Sequence, residues 1–283
     1  MAPDIKNIAN KIANRHGFHF NVQRLPYYLD LRNIEIPTRA IDYYLTRDVL
    51  VSLPLGAGRA LPRGVLGSNS QHPYISAISR FLEFRNISNY SVLRDELANS
   101  LGRATWNSAA ELLSLPDHDI LTRQPPWAAL LPWQEHNLDQ WKEKVSRSVR
   151  TENKREGYDL DVTTGGWAWT GPVNDEKVQI ESRRLYRVFF SILENGYKRS
   201  AAPGGDPPVS ILLREDDEWR WQPHTNQHRL CVLSALGYSE VPVRVKRIVR
   251  REDAPYWPNV VNGFYSKKQA LQIFDDIFDN GLE

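Results

Sequence analysis

The sequence predicts an α+β fold, with a mostly helical domain over residues 1–150 and a mixed-sheet domain over residues 151–283. Apolar residues recur at helical spacing through much of the first part. In the second part, short apolar runs typical of strands alternate with helical segments. The length of 283 residues also favours two domains, because one domain usually takes about 100–200 residues.

Four segments of the first part carry local signals. Residues 4–15 are predicted to form an amphipathic helix, and alternating Phe and Val over residues 18–22 predict a strand. Residues 51–72 are rich in Gly and Pro and are predicted to form a long loop. A helix is expected to begin at Pro73, since Pro suits a first helical turn. The role of this part stays open.

The second part begins after a mostly polar segment, residues 142–156, which places the domain boundary near residue 150. A helix with a 3.6-residue period is predicted from Asp175 to a stop at Gly196. Further along, the sequence predicts strands in PPVSILL, EWRWQPH and VPVRVKRIV, a helix ended by Gly237, and a last helix over 266–279.

Composition excludes several classes of protein. A net charge of +2, from 36 basic and 34 acidic residues, is weaker than the imbalance of a dedicated nucleic-acid binder. A single cysteine, Cys231, excludes an internal disulfide and a multi-cysteine zinc site. No apolar run approaches the ~18 residues of a membrane span, and the start of the chain lacks a signal-peptide core. A cytoplasmic location is therefore expected.

The segment Trp221–Val245, WQPHTNQHRLCVLSALGYSEVPVRV, carries the clearest functional signal. Residues 225–229 fall where a strand gives way to a helix, so backbone N–H groups there lack helical partners. The helix start attracts anions, and Arg229 adds a planar donor fork suited to phosphate. The sequence therefore predicts an anion site at this junction. The alternative is that His228 and Arg229 only cap the helix.

This stretch resembles the ParB/sulfiredoxin-like nucleotide-binding superfamily, whose members open a helix with Gly-x-His-Arg or Gly-Glu-Arg-Arg. Here the element is Asn226-Gln227-His228-Arg229. The earlier stretch LENGYKRSAAPGGDPPVSILL resembles the family's first box, in which a helix end and a Gly precede a strand that begins at a Pro pair. The resemblance covers residues 178–248, about a quarter of the chain.

The resemblance implies that nucleotide phosphates bind at the start of the His-Arg helix. The candidate phosphate- or nucleotide-binding residues are then Thr225, Asn226, Gln227, His228 and Arg229, and His228 is also a candidate catalytic residue. ATP or another nucleotide, with Mg²⁺, is implied as the ligand, and a small molecule as the second substrate. The residues that would hold the metal stay open.

The sequence departs from the family's patterns at several positions. Sulfiredoxins place their reactive Cys where Gln227 stands, so sulfiredoxin activity is not expected, and Cys231 is expected to pack in the core. Partition proteins carry Glu at the position of Gln227. Kinase-like members carry Asp and Gly where Thr225 and Asn226 stand, which removes a carboxylate suited to magnesium or general-base work.

A replacement carboxylate must come from elsewhere in the chain. Glu181 is the favoured candidate catalytic acid, because a helix preceding the box packs on the same sheet and its acid can reach the site. The alternative is a plain ion pair between Glu181 and the adjacent Arg183–Arg184 pair. The other acids weighed for this role are Glu194, Asp159 and Asp161.

Three further features have two interpretations each. Arg244 and Lys246 share a face of a predicted strand and form a candidate secondary basic patch for phosphate or nucleic acid, or else a charged edge strand. Trp167 and Trp169 either pack in the core or stack on a base or sugar. Gly56-Ala57-Gly58-Arg59 resembles a phosphate loop but lacks its Gly-Lys-Ser/Thr ending.

The expected function is an ATP-dependent phosphotransferase or nucleotide hydrolase that acts on a small molecule. Sequences of this type resemble bacterial accessory proteins of surface-polysaccharide clusters. One alternative is a non-catalytic nucleotide-sensing or interaction module with a degenerate site. Another is a nucleic-acid-binding or nuclease protein, which the near-neutral charge disfavours. No membrane span is expected, and the oligomeric state stays open.

Overall fold

The computed structural model describes residues 28–33, 41, 48–61, 64–68, 70–84, 89–199 and 205–279. The helix predicted at residues 4–15 and the strand at residues 18–22 lie outside these ranges. The described chain combines helices with a mixed sheet, which confirms the α+β class. Within the described ranges, every helix falls short of the length and apolar character that a bilayer crossing requires.

The elements are numbered here in chain order. The strands are β1 (Tyr28–Asp30), β2 (Asp48–Pro54), β3 (Arg59–Ala60), β4 (Gly64–Val65), β5 (Pro208–Leu213), β6 (Trp219–Pro223) and β7 (Glu240–Arg250). The α-helices are α1 (Pro73–Glu83), α2 (Tyr90–Arg103), α3 (Ala109–Leu112), α4 (Leu138–Arg155), α5 (Val162–Gly165), α6 (Asp175–Asn195), α7 (Gln227–Ala235), α8 (Pro258–Val261) and α9 (Lys267–Asp279). Short 3₁₀ turns lie at Leu55–Ala57, Leu121–Arg123, Pro126–Ala128 and Arg251–Tyr256.

One five-stranded sheet, in the order β1-β2-β7-β5-β6, takes strands from both parts of the sequence. Strand β2 pairs antiparallel with β7, and β5 pairs parallel with β7 and antiparallel with β6. Helix α4 also runs through residue 150. A cut at the predicted boundary would therefore leave each part with an incomplete sheet.

The long loop predicted at residues 51–72 is wrong for residues 51–54, which belong to β2. Val49, Val51 and Leu53 are buried, and they pair with Val245, Val243 and Val241 of β7. A strand buried between neighbours reads as a short apolar run rather than a clean alternation. Because Gly- and Pro-rich residues follow this run directly, the sequence pattern predicted a loop there.

Strand β7 carries a one-residue bulge. Its apolar side chains are buried on one face of the sheet before the bulge and on the other face after it. Val245 pairs with Val209, but the next pair joins Arg247 to Ser210, so Lys246 is the extra residue. Before the bulge, Val243 and Val245 pack with α1, α2, α6 and α7 in one apolar cluster. After it, Val249 packs on the other face, in a cluster that includes α3 and α9.

Helix α6 matches its predicted bounds and carries much of the first cluster. Asn174 caps its start by accepting a hydrogen bond from the Lys177 backbone N–H at 2.7 Å. Gly196 ends it with a φ of 67°, which is the left-handed conformation expected of a glycine at this position. The buried stripe of α6 points toward α7, which opens at the His-Arg element.

Replacing Gly58 by Ala tests the packing between the segment after β2 and β6. A Cβ there would lie 2.7 Å from Trp221 Cζ2 and 2.9 Å from Leu66 Cδ1, and both side chains are fully buried. We expect Gly58→Ala to lower the free energy of unfolding by about 1–3 kcal/mol. Gly56→Ala is the matched control, because a Cβ there meets nothing within 4 Å. Equal urea midpoints for the two variants would contradict the close packing at Gly58.

Candidate functional site

Glu181 lies fully buried in the middle of α6 and is surrounded by donors. Its Oε2 accepts from His228 Nε2 at 2.5 Å and from the Tyr74 hydroxyl at 2.9 Å. Its Oε1 accepts from Lys177 Nζ at 2.6 Å and from an Arg184 NH group at 3.2 Å. Three helices, α1, α6 and α7, therefore meet on one carboxylate.

The charges around Glu181 keep it ionised. Burial by itself would raise the pKa of this carboxyl, but the charge and hydrogen bond of His228 and the charges of Lys177 and Arg184 outweigh it. The pKa of Glu181 is therefore held well below 4.5. Tyr74 shows the opposite effect, because burial and the Glu181 charge raise the pKa of its hydroxyl well above 10.

Lys177 is the buried counterion of this carboxylate. Its ammonium also donates to Asn153 Oδ1 at 2.7 Å, and both residues are almost completely buried. A buried charge is tolerated only when it is paired and hydrogen-bonded. The Lys177–Glu181 pair, four residues apart on one helix, meets this condition.

His228 and Arg184 are the members of the cluster that reach solvent. The His228 side chain keeps 13% of its surface, whereas the Glu181 side chain keeps none. The ring lies between Tyr74, at 4.8 Å between centroids, and Trp169, at 5.6 Å. Nε2 faces Glu181, and Nδ1 has no hydrogen-bond partner among the described residues and is not sealed from solvent. Nδ1 is therefore the ring atom open to a ligand.

The structure thus brings together Glu181 and His228, the two residues predicted to be catalytic. The catalytic role itself stays a prediction. The predicted alternative, an ion pair with a neighbouring arginine, is also present through Arg184. Of the other acids weighed, Asp159 pairs with Arg150, and Asp161 caps α5.

The strand-to-helix junction has the geometry of an anion site. Asn226 adopts the left-handed conformation with a φ of 65°, at the position where the resembled family carries Gly. Asn tolerates this conformation better than most residues. The Asn226 side chain makes no capping hydrogen bond. Within the described ranges, the backbone N–H groups of Gln227, His228 and Arg229 have no hydrogen-bond partner. Thr225 is exposed beside them.

Arg229 extends toward the segment that precedes β5. Its guanidinium donates to the Gly205 carbonyl and lies 6.0 Å from the Tyr197 ring centroid. A guanidinium has five N–H donors, so this contact leaves donors for a ligand. Of the predicted basic patch, Lys246 is exposed at the bulge, whereas Arg244 is half-buried and donates to the Asp206 carbonyl at 3.3 Å.

Two other features of the sequence, the loop that contains Arg59 and the single cysteine, do not contribute to this site. Arg59, of the loop that resembles a phosphate loop, is buried and donates to the carbonyls of Phe278, Gly56 and Gly58. Burial lowers its pKa to about 10. Cys231 is fully buried, and burial raises the pKa of its thiol. This inert environment agrees with a packing role.

Sequence reasoning missed His72, Tyr74 and Lys177. The Lys177–Glu181 spacing was a usable signal, because residues four apart share a helix face. His72 and Tyr74 come from a distant part of the chain, and no local pattern places them at the site. His72 is buried against Cys231, with Sγ and Nδ1 3.5 Å apart, and its ring lies 6.2 Å from that of Trp169.

A protein-held magnesium ion does not fit the site. Across the described ranges, no group of three or more His, Cys, Asp or Glu side chains is placed to hold a metal ion. Both oxygens of Glu181 are already used by its four donors. We therefore derive no chemical step that passes through a metal held by these residues.

Comparisons of the chain with known protein families, with curated proteins and with solved structures find no match.

The pKa of the buried His72 determines a pH dependence of the stability of the fold. Burial and the nearby His228 charge lower the pKa of His72 to about 4 from an ordinary 6.5. Its neutral form is thus required for folding, and the associated stability is complete above pH 6.5 and lost as pH falls toward 4. This pKa shift lowers the free energy of unfolding by about 3 kcal/mol as the pH falls over this range.

The variant His72→Asn isolates this effect. His72 Nδ1 caps α1 by accepting from the Tyr74 backbone N–H, and the Asn amide oxygen can replace that acceptor. We expect the free energy of unfolding of His72→Asn to change less between pH 6.5 and 4 than that of the wild type. Denaturant unfolding at several pH values measures it. Parallel curves for the two proteins would contradict the assignment.

Proposed function

We propose that this chain is an enzyme that binds a nucleotide or another phosphorylated ligand at the start of α7 and transfers a phosphoryl group to a small molecule or to water. The observation that carries the proposal is the pair formed by His228 and the buried carboxylate of Glu181. The ParB/sulfiredoxin-like resemblance of residues 178–248 supplies the ligand class.

The His228–Glu181 pair supports acid–base chemistry. A carboxylate that accepts from one imidazole nitrogen fixes the tautomer and orientation of the ring and leaves the other nitrogen for proton transfer. Here Nε2 faces Glu181 and Nδ1 faces the accessible side. Tyr74, Lys177 and Arg184 hold the carboxylate in place. The imidazole therefore needs little reorganisation to act.

The junction before α7 supports phosphate binding. The N–H groups of residues 227–229 are available in the described structure, and a helix start carries a partial positive charge. Arg229 adds donors at the same end of the helix. A phosphoryl group held there lies close in sequence and space to His228, which is itself the second residue of the helix.

The role assigned to the neutral form of His228 is that of a general base. Nδ1 accepts the proton of the attacking hydroxyl or water as its oxygen bonds to phosphorus, and the bond between phosphorus and the leaving oxygen breaks. The Glu181 carboxylate stabilises the charged ring in that step. Proton transfer of this kind contributes roughly 10²–10⁴-fold to a rate.

Arg229→Ala tests the phosphate site. We expect one nucleotide in a thermal-shift screen to raise the melting temperature of the wild-type chain, because a ligand of the folded state stabilises it. Loss of a charged hydrogen bond should weaken that binding by about 1.5–3 kcal/mol in Arg229→Ala. Arg183→Ala, which removes an exposed arginine of α6, is the charge-matched control. Unchanged affinity in a folded Arg229→Ala protein would contradict the site.

His228→Gln tests the chemistry separately from binding. The Gln amide can still donate to Glu181, but it cannot accept a proton as imidazole does. We expect turnover, measured as phosphate release or transfer from the nucleotide found in the screen, to fall roughly 10²–10⁴-fold, with affinity nearly unchanged. Binding without turnover in the wild type would instead identify a non-catalytic nucleotide-sensing module.

A further inference from the structure

A second polar cluster lies on the opposite face of the sheet from Glu181. Ser210 of β5, His224 after β6 and Arg247 of β7 form one hydrogen-bonded chain. Ser210 Oγ lies 2.7 Å from His224 Nε2 and 3.1 Å from Arg247 Nε. Ser210 lies between Val209 and Ile211, which pack in the first apolar cluster, so its side chain points to the other face.

The bulge in β7 creates this arrangement. Because Lys246 is the extra residue, Arg247 is placed opposite Ser210. Arg247 is also fixed by a second bond, from one NH group to the Trp133 carbonyl at 3.0 Å. Its remaining NH₂ group has no partner among the described residues and is not sealed from solvent. Bulges often re-aim a side chain in this way beside functional sites.

The hydrogen bonds fix the protonation of His224. Arg247 can only donate, so the Ser210 oxygen accepts from it. The Ser210 hydroxyl is buried and has no other acceptor among the described residues, so its hydrogen goes to His224 Nε2. His224 Nδ1 then carries the ring proton and is a donor. It has no partner among the described residues, and His224 is exposed. Arg247 and His224 thus both keep donors for a ligand.

The surroundings are cationic. Loss of solvent around the ring, together with the charges of Arg247, Lys144 and Lys246, lowers the pKa of His224 to about 4, although the residue as a whole is exposed. Glu135 is the acid that acts on Arg247. Lys144 of α4 is exposed, and it also lines an open cleft of about 490 Å³ with Glu135, His136, Gln140, Glu143 and Arg147. Donors with excess positive charge beside open space suit an anion.

We propose that Arg247, His224 and Lys144 form a second anion site, which binds a phosphate group while the body of the ligand occupies the adjacent cleft. The guanidinium NH₂ and the imidazole Nδ1–H donate to the phosphate oxygens, and the ammonium adds charge. Ser210 is the positioning residue that orients the Arg247 guanidinium and the His224 imidazole. This site is independent of the one proposed at α7.

Inorganic phosphate is the probe. The ring signals of His224 are followed by NMR on the full chain at neutral pH, assigned with His224→Gln, at an ionic strength held constant with NaCl. We expect a saturable shift of the His224 signals. Arg247→Gln, at a half-buried position, should weaken phosphate binding by about tenfold or more, the effect of one charged hydrogen bond. Lys144→Gln removes an exposed charge and should weaken it by roughly two- to fivefold.

Lys154→Gln is the matched control, since it removes the same charge from the same helix, where Lys154 pairs with Asp159. It should change affinity by less than about twofold. No saturable shift in the wild type, or equal losses in Lys144→Gln and Lys154→Gln, would overturn the proposal. Loss of the shift in Arg229→Ala would also overturn it, because the phosphate would then be bound at α7. Retention of the shift in Arg229→Ala supports two separate sites.

Discussion

The packing on one face of the sheet depends on the buried carboxylate of Glu181. It joins Tyr74 of α1, Lys177 of its own helix and His228 of α7, so three helices are held in one relative position. Breaking such a buried pair by removing one partner costs about 3–5 kcal/mol, because the other charge stays buried and unpaired. The carboxylate is therefore a constraint on the whole face, and hydrophobic contacts alone would permit more arrangements.

Stability alone does not explain this cluster. Well-packed apolar residues of similar volume often stabilise a protein as much as a buried ion pair. Here the charges also converge on His228, which keeps access to solvent, at a helix start whose N–H groups have no partner in the described structure. Strongly shifted pKa values beside an accessible histidine are typical of functional sites. This convergence favours proton transfer over a purely structural role.

Local signals in the sequence predicted much of the fold. The 3.6-residue period and Gly196 located α6, and the strand–helix–strand order around Asn226 located β6, α7 and β7. The sequence also placed Glu181 within reach of the site at His228, because a helix that precedes the motif packs on the same sheet. It missed β2, whose short apolar run lies beside Gly and Pro. It also missed Tyr74, which is 107 residues from Glu181, because such contacts follow from the tertiary fold.

The structure gives a physical reason for two departures of the sequence from the resembled motif, at Thr225 and Asn226. Asn226 takes the left-handed conformation that Gly would take, so losing the glycine does not prevent the turn. Thr225 is exposed and supplies no carboxylate, but Glu181 brings one to the opposite side of His228 from the open ring nitrogen. Because the Glu181 carboxylate lies on the far side of the imidazole, it cannot ligate a metal at the phosphate. It can, however, orient His228 as a base. These residues supply what the proposed proton transfer needs, and in that proposal any magnesium arrives with the nucleotide.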